Sequence, residues 1–160
     1  MSIFSSFRAF RSSTEDEDPP YYAPLEAGDY AAALPLLEAA MCREDAHAMG
    51  VMAAMLAMGR GVDQDPQEAC AWFRQAANRG DLFSQTAFGM CLATGFGTAR
   101  DATEAAYWLY RAGRAGHHSA VDILSDLALQ HQAVIGVHFT MGELVALVRA
   151  AKLGGGAKPH

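Results

Sequence analysis

Three groups of side chains in this sequence have types and spacings that invite chemistry. His117 and His118 are adjacent, Asp122 and Asp126 lie one helical turn apart, and Cys42, Cys70 and Cys91 supply thiols. A metal centre needs ligands that converge. Neighbouring residues on a helix do not share a face, and no nearby carboxylate or thiol completes a set around the histidines. His117 directly follows Gly116, which reads as a turn. His131 and His138 flank an apolar stretch and would close a loop before the last helical pattern. The aspartate pair resembles an acid–base couple, but no pocket is implied around it. The cysteines are odd in number and lack C-x-x-C spacing, so they read as buried reduced thiols within helical patterns. Gly59-Arg60-Gly61 and Gly95-Phe96-Gly97 lack the third glycine of a dinucleotide loop and the lysine of a phosphate loop, and they follow helices, not strands. These are turns. The expectation is a protein with no catalytic centre, no cofactor and no metal.

The elements that carry these residues belong to a chain of 160 residues, half of them hydrophobic, with 12 basic and 18 acidic side chains and a net charge of −6. Clustered lysine and arginine, the footprint of a phosphate-tracking surface, are missing, which argues against nucleic acid. The charge favours a partner with a basic surface. No apolar run approaches the roughly 20 residues of a membrane span. The opening MSIFSSFRAFRSS has neither the long apolar stretch nor the small-residue cleavage site of a secretory signal. The expectation is a cytoplasmic protein, and the alanine- and arginine-rich composition resembles that of a bacterial one.

The sequence also repeats itself. Residues 59–80 and 95–116 align without a gap at a shift of 36, with eight identities in 22 positions. Gly59, Gly61, Asp65, Glu68, Ala69, Trp72, Ala76 and Gly80 map onto Gly95, Gly97, Asp101, Glu104, Ala105, Trp108, Ala112 and Gly116. The shift extends backwards to residues 29–40, where Leu36 takes the place of Trp72, and forwards to residues 118–130. A period of this size is the signature of stacked supersecondary units. Alternating patterns that would support strands are missing.

Each repeated residue has a mechanical task. Asp29, Asp65 and Asp101 precede helical runs as N-caps, and Pro66 suits a first helical position. Glu68 and Glu104 are placed to complete capping boxes. Gly80 and Gly116 end helices in the left-handed conformation. The repeated alanines allow close helix approach, while Trp72 and Trp108 fill the space between neighbours. Pro35 falls inside its helix and is expected to kink it.

Two flanking regions stand apart. Residues 1–24 hold an acidic run, Glu15 to Asp18, then Pro19-Pro20 and Tyr21-Tyr22, and read as a flexible segment. Ile3, Phe4, Phe7 and Phe10 within it share one helical face, suited to an exposed end of the protein's own core, a partner or a membrane surface. Residues 25–153 form the helical-repeat domain, with full repeats at about 46–80 and 82–116, flanking half-repeats, and a closing helix at about 141–152 capped by Thr140 with Glu143. Residues 154–160 read as a tail.

These residues resemble the Sel-one-like repeat (SLR) family, relatives of the tetratricopeptide repeats. The first copy supplies Ala48, Met52, Ala53, Leu56, Gly59, Gly61, Val62, Asp65, Ala69, Trp72, Ala76, Ala77 and Gly80. The second supplies Phe88, Gly89, Leu92, Gly95, Gly97, Asp101, Ala105, Trp108, Ala112 and Gly116. Departures are Leu for the family's Tyr in both copies, Thr98 for Val, Ser84 for Ala and Gly113 for Ala. The resemblance covers about residues 29–131. It implies an all-α fold, a short right-handed α/α solenoid of SLR-type helix pairs, and non-catalytic protein binding.

In such an array the leading helix of each repeat lines a concave side. The face of helix 46–58 turned away from its packing stripe, carried forward by 36 and 72 residues, predicts a partner-binding groove. It comprises His47, Ala54, Met58, Phe83, Thr86, Met90, Thr94, Ser119, Asp122, Asp126 and Gln130. Met49, Met52 and Met55 are expected to be core filler, with Met58 exposed. The groove grades from apolar to acidic, which suits a partner with an apolar anchor and a basic residue. A bacterial immunity protein that neutralises a toxin, or an adaptor, fits this reading. A regulatory scaffold in a signalling pathway is the alternative.

Overall fold

Helix starts follow the aspartates. The side chain of Asp29 accepts from Ala32 N at 3.1 Å, Asp65 from Glu68 N at 2.9 Å, and Asp101 from Thr103 N and Glu104 N, both at 2.9 Å. Asp45 accepts from His47 N at 2.9 Å and Ala48 N at 3.2 Å, and Asp81 from Ser84 N at 2.8 Å. In the computed structural model, which describes residues 18–131 and 136–154, these caps open helices α2 (Tyr30–Met41), α3 (Ala46–Met58), α4 (Pro66–Asn78), α5 (Leu82–Thr94) and α6 (Ala102–Arg114). A short α1 (Tyr22–Ala27) precedes them, and α7 (His118–Gln130) and α8 (Met141–Gly154) follow. No strand occurs among the described residues. The fold is all-α, built of SLR-type helix pairs.

The capping boxes expected at Glu68 and Glu104 do not close. The backbone N–H of Asp65 donates to Leu56 O at 3.1 Å and that of Asp101 to Leu92 O at 2.9 Å. Each bond ties a cap to the preceding helix, so the glutamates turn instead to their tryptophans four residues on. A reciprocal box does form at α8. There Thr140 N donates to Glu143 Oε2 at 2.7 Å and Glu143 N to Thr140 Oγ1 at 3.2 Å. The backbone donor at Thr140, then its hydroxyl, hold the Glu143 carboxyl below the usual carboxylate range.

The chain forms two compact units divided between Ser84 and Gln85. In the first, α3 and α4 form a hairpin, α2 packs on α3, and α1 packs on α2. Leu25, Leu37, Val51, Met55, Ala69, Phe73 and Ala76 are buried there. Gly61, at φ +74°, lies so close to Tyr30 that a Cβ would collide with its side chain at 2.3 Å. Helix α2 runs on through Pro35, whose ring is exposed. In the second unit, Phe88 of α5 meets Trp108 edge-on at 5.6 Å, α6 packs on α7, and α8 packs on α7 and reaches α6. Gly113, a departure from the family pattern, is where Val121 and Leu147 press in, at 2.8 and 3.2 Å from a would-be Cβ. Methyl-sized space was given up there to seat the last helix.

Three expectations need correction. Trp72 is only half-buried, unlike Trp108 at 6% exposure. The ring over Trp108 is Phe88, whose counterpart in the first repeat is the thinner Met52. Cys42 is exposed, because it caps the C-terminus of α2; Cys70 and Cys91 are buried. Tyr21 and Tyr22, read as part of the flexible segment, are 1% and 2% exposed. The remaining features of residues 1–17, including the apolar face of Ile3 to Phe10 and the acidic run to Glu17, and of residues 155–160, lie outside the described residues.

Candidate functional site

The leading helix of the first repeat is enclosed on every side. Residues 47–56 of α3 are all buried, His47 and Ala54 among them, whereas Met58 reaches solvent. Met49, Met52 and Met55 are core, as expected. Phe83 is half-buried and tilts against Phe73 at 6.3 Å. In the second unit Thr86 is buried as well. Positions 47, 54 and 86 fall on the helix face expected to line the groove, yet all three side chains are buried.

His47 has a specific reason to be inside. Its Nδ1–H donates to the Asp81 carboxylate at 3.1 Å, which leaves Nε2 to accept from the Tyr22 hydroxyl. The rings of Tyr22 and His47 stack with centroids 5.8 Å apart, and Tyr21 reaches the Asp45 carboxylate at 3.4 Å. Tyr21 thus contacts the N-cap of α3, and Tyr22 contacts His47, which in turn bonds Asp81, the N-cap of α5. A buried imidazole needs such partners, since an unsatisfied polar group there costs about 1–3 kcal/mol. Sequence reasoning missed Tyr22 and Asp81. The signal was present in the shift of 36, which places Asp45 and Asp81 in one register and His117 at the third, where it is the buried N-cap of α7.

The exposed remainder of the expected lining is concentrated in the second unit. On α5, Met90 is 46% exposed and Thr94 is exposed one turn later, its hydroxyl donating to Met90 O at 2.8 Å. On α7, Ser119, Asp122, Asp126 and Gln130 are all exposed at intervals of three and four, one stripe of the helix, with Leu129 beside them at 80% exposure. His118 is exposed, and His131 instead bonds Arg100, Nη2 to Nε2, at 3.2 Å. Among the described residues no three His, Cys, Asp or Glu side chains converge as metal ligands would.

The family model of the Sel1 repeat matches residues 46–81 and 83–117, which are α3–α4 with the Asp81 cap and α5–α6. The chain carries two Sel1 repeats. Among solved structures, a Sel1 repeat protein from Oxalobacter formigenes superposes with a TM-score of 0.74 at 21% identity, over 85% of this chain and 55% of that one. The protein c5321, a protective antigen of uropathogenic Escherichia coli with an SLR fold, gives a TM-score of 0.62 at 17% identity, over 83% of this chain and 30% of that one. The chain therefore spans about half and about a third of those two structures, and at these identities the likeness concerns the fold. A search of curated proteins finds no match to its sequence. Sel1 repeats generally mediate protein–protein interaction and are typically non-catalytic. Among the described residues no helix is long and apolar enough to cross a membrane.

Proposed function

We propose that this Sel1 repeat protein holds another protein against the exposed stripe of α7, in the service of immunity against a toxin or of adaptor-type assembly in a bacterial cytoplasm. The observation that supports the reading is the stripe itself. Asp122 and Asp126 stand exposed one turn apart beside Leu129, an apolar side chain almost entirely in water. An apolar anchor flanked by two carboxylates is matched by a partner carrying an apolar pocket and basic side chains. The net charge of −6 assists the approach of such a partner. Met58 and Phe83 of the first unit, and Met90 and Thr94 of the second, are the other members of the predicted lining with side chains still reachable by a partner.

The test is affinity capture from the native cell with wild-type protein and with an Asp122→Lys, Asp126→Lys, Leu129→Ser variant of unchanged melting temperature. A partner retained by the wild type and lost by the variant supports the reading. An unchanged set of captured proteins removes the α7 stripe from consideration. Immunity adds a sharper requirement: co-expression must restore growth to cells carrying the captured protein as a toxin, and the variant must fail to do so.

A further inference from the structure

Helix α6 of the second unit carries a stripe of a different kind. Tyr107, Tyr110, Arg111 and Arg114 are spaced by three, one and three residues, which brings them to one face. With Ala115 and His138 they line a cleft of about 460 Å³ that opens broadly to solvent. Its walls are aromatic and fixed. Tyr107 meets His138 at 5.2 Å and Trp108 edge-on at 5.4 Å, and Tyr110 stacks on Phe139 at 5.0 Å with 20° between the planes. The guanidinium carbon of Arg111 lies 5.5 Å from the centroid of Trp108, and that of Arg114 lies 6.0 Å from the centroid of Tyr110.

Both cations are held on rings while their N–H groups stay unengaged. Among the described residues neither guanidinium makes an ion pair or a hydrogen bond. Glu143, the acid that feels Arg114 and accepts from the Tyr110 side chain, is already committed to Thr140, whose hydroxyl donates to it at 2.9 Å and whose backbone N–H donates at 2.7 Å. In a chain of net charge −6 this is a local reversal of sign. A guanidinium presents five donors in a planar fork that matches a carboxylate two at a time, and stacking on a ring lowers the entropy lost when it binds.

We propose that the Tyr107–Tyr110–Arg111–Arg114–His138 cleft is a binding site for an acidic peptide segment of a partner protein. The two guanidiniums, about one helical turn or 5 Å apart along α6, receive two carboxylates, and the tyrosines receive the side chains between them. The open shape favours an extended chain over a small ion, which would keep most of its water there. The proposal does not rest on the α7 stripe, whose charge is opposite and which would take a basic partner.

The experiment is fluorescence anisotropy of the full chain with a fluorescein-labelled octapeptide of alternating glutamate and tyrosine, and with its glutamine counterpart. Saturable binding of the glutamate peptide, about tenfold or more tighter than the glutamine peptide, is expected. The Arg111→Gln, Arg114→Gln double variant should lose about the same factor without a change in melting temperature. Asp122→Asn with Asp126→Asn should leave binding unchanged. Raising salt, which needs no substitution, should weaken wild-type binding. Equal binding of the two peptides, or full binding by the arginine double variant, overturns the site. Displacement by inorganic phosphate at the peptide's own concentration overturns it too, because it would reduce the cleft to an ion site.

Discussion

Trp72 and Trp108 hold the same register in successive repeats and make the same bond, indole N–H to a glutamate one turn back, at 3.2 and 3.3 Å. Yet Trp108 is buried and Trp72 is half in water. The period sets the backbone and the local bond. It does not set burial: Trp108 has Phe88 edge-on and Arg111 over its ring, where the matching positions of the first repeat hold Met52 and Gln75. The repeats differ at their joints as well. The left-handed position that closes a trailing helix is Gly80 and Gly116 in later copies, but Glu44 at φ +62° in the first. The N-cap that opens a leading helix is Asp45, then Asp81, then His117. Identical geometry is thus reached with unequal chemistry, and the energetic weight of one register position should vary from copy to copy.

The largest contrast should be between the tryptophans. Trp108→Ala is expected to cost about 3–5 kcal/mol, the range for emptying a large core site, and Trp72→Ala about 1–2 kcal/mol, because much of its area never leaves water. Urea unfolding of both variants reads the difference, and equal losses would break the comparison. The aspartates come next. Asp81→Ala removes both the cap of α5 and the acceptor for a buried imidazole, so about 2–4 kcal/mol is expected. Asp45→Ala, which mainly removes a cap, should cost about 1 kcal/mol.

Smaller effects refine the picture at the joints. Glu44→Gly should stabilise the protein by about 0.5–1 kcal/mol, since relief of the left-handed conformation outweighs the added freedom of the unfolded chain. The exposed pair that Glu44 makes with Arg79 at 3.5 Å contributes little against this. A melting temperature at or below wild type would show that Glu44 is held there by something stronger than strain. At Glu143 the folded-state pKa is lowered, so its contribution to the α8 cap is present at neutral pH and disappears as acid titrates through that lowered value. An NMR titration should place the Glu143 midpoint lower in the wild type than in Thr140→Ala, and identical midpoints would assign the shift elsewhere.

The helical register was readable in the sequence because it rests on local rules. An aspartate before a helix and a glycine after it act within four residues, and the shift of 36 shows them again and again. Gly80, Gly116, Asp65, Asp101 and the Thr140–Glu143 box are all of this kind. What escaped was whatever depends on a neighbour distant in sequence. The burial of His47 goes with Tyr22 and Asp81, 25 and 34 residues away. The expected lining failed at His47, Ala54 and Thr86 for that reason, and was accessible along α7. The α6 cleft was written in the spacing of Tyr107, Tyr110, Arg111 and Arg114, but a charge count over the whole chain conceals two cations in a surplus of acids.

The pair Tyr21–Tyr22 carries a lesson for anyone who would cut this protein. Their hydroxyls reach across to the Asp45 carboxylate and the His47 imidazole at the head of α3. A fragment trimmed to begin at Ala46, where the recognisable motif starts, would leave that cluster bare to water and its ring-stacking surface uncovered. The smallest piece that can be moved into another protein therefore begins near Pro19, some 27 residues ahead of the first repeat.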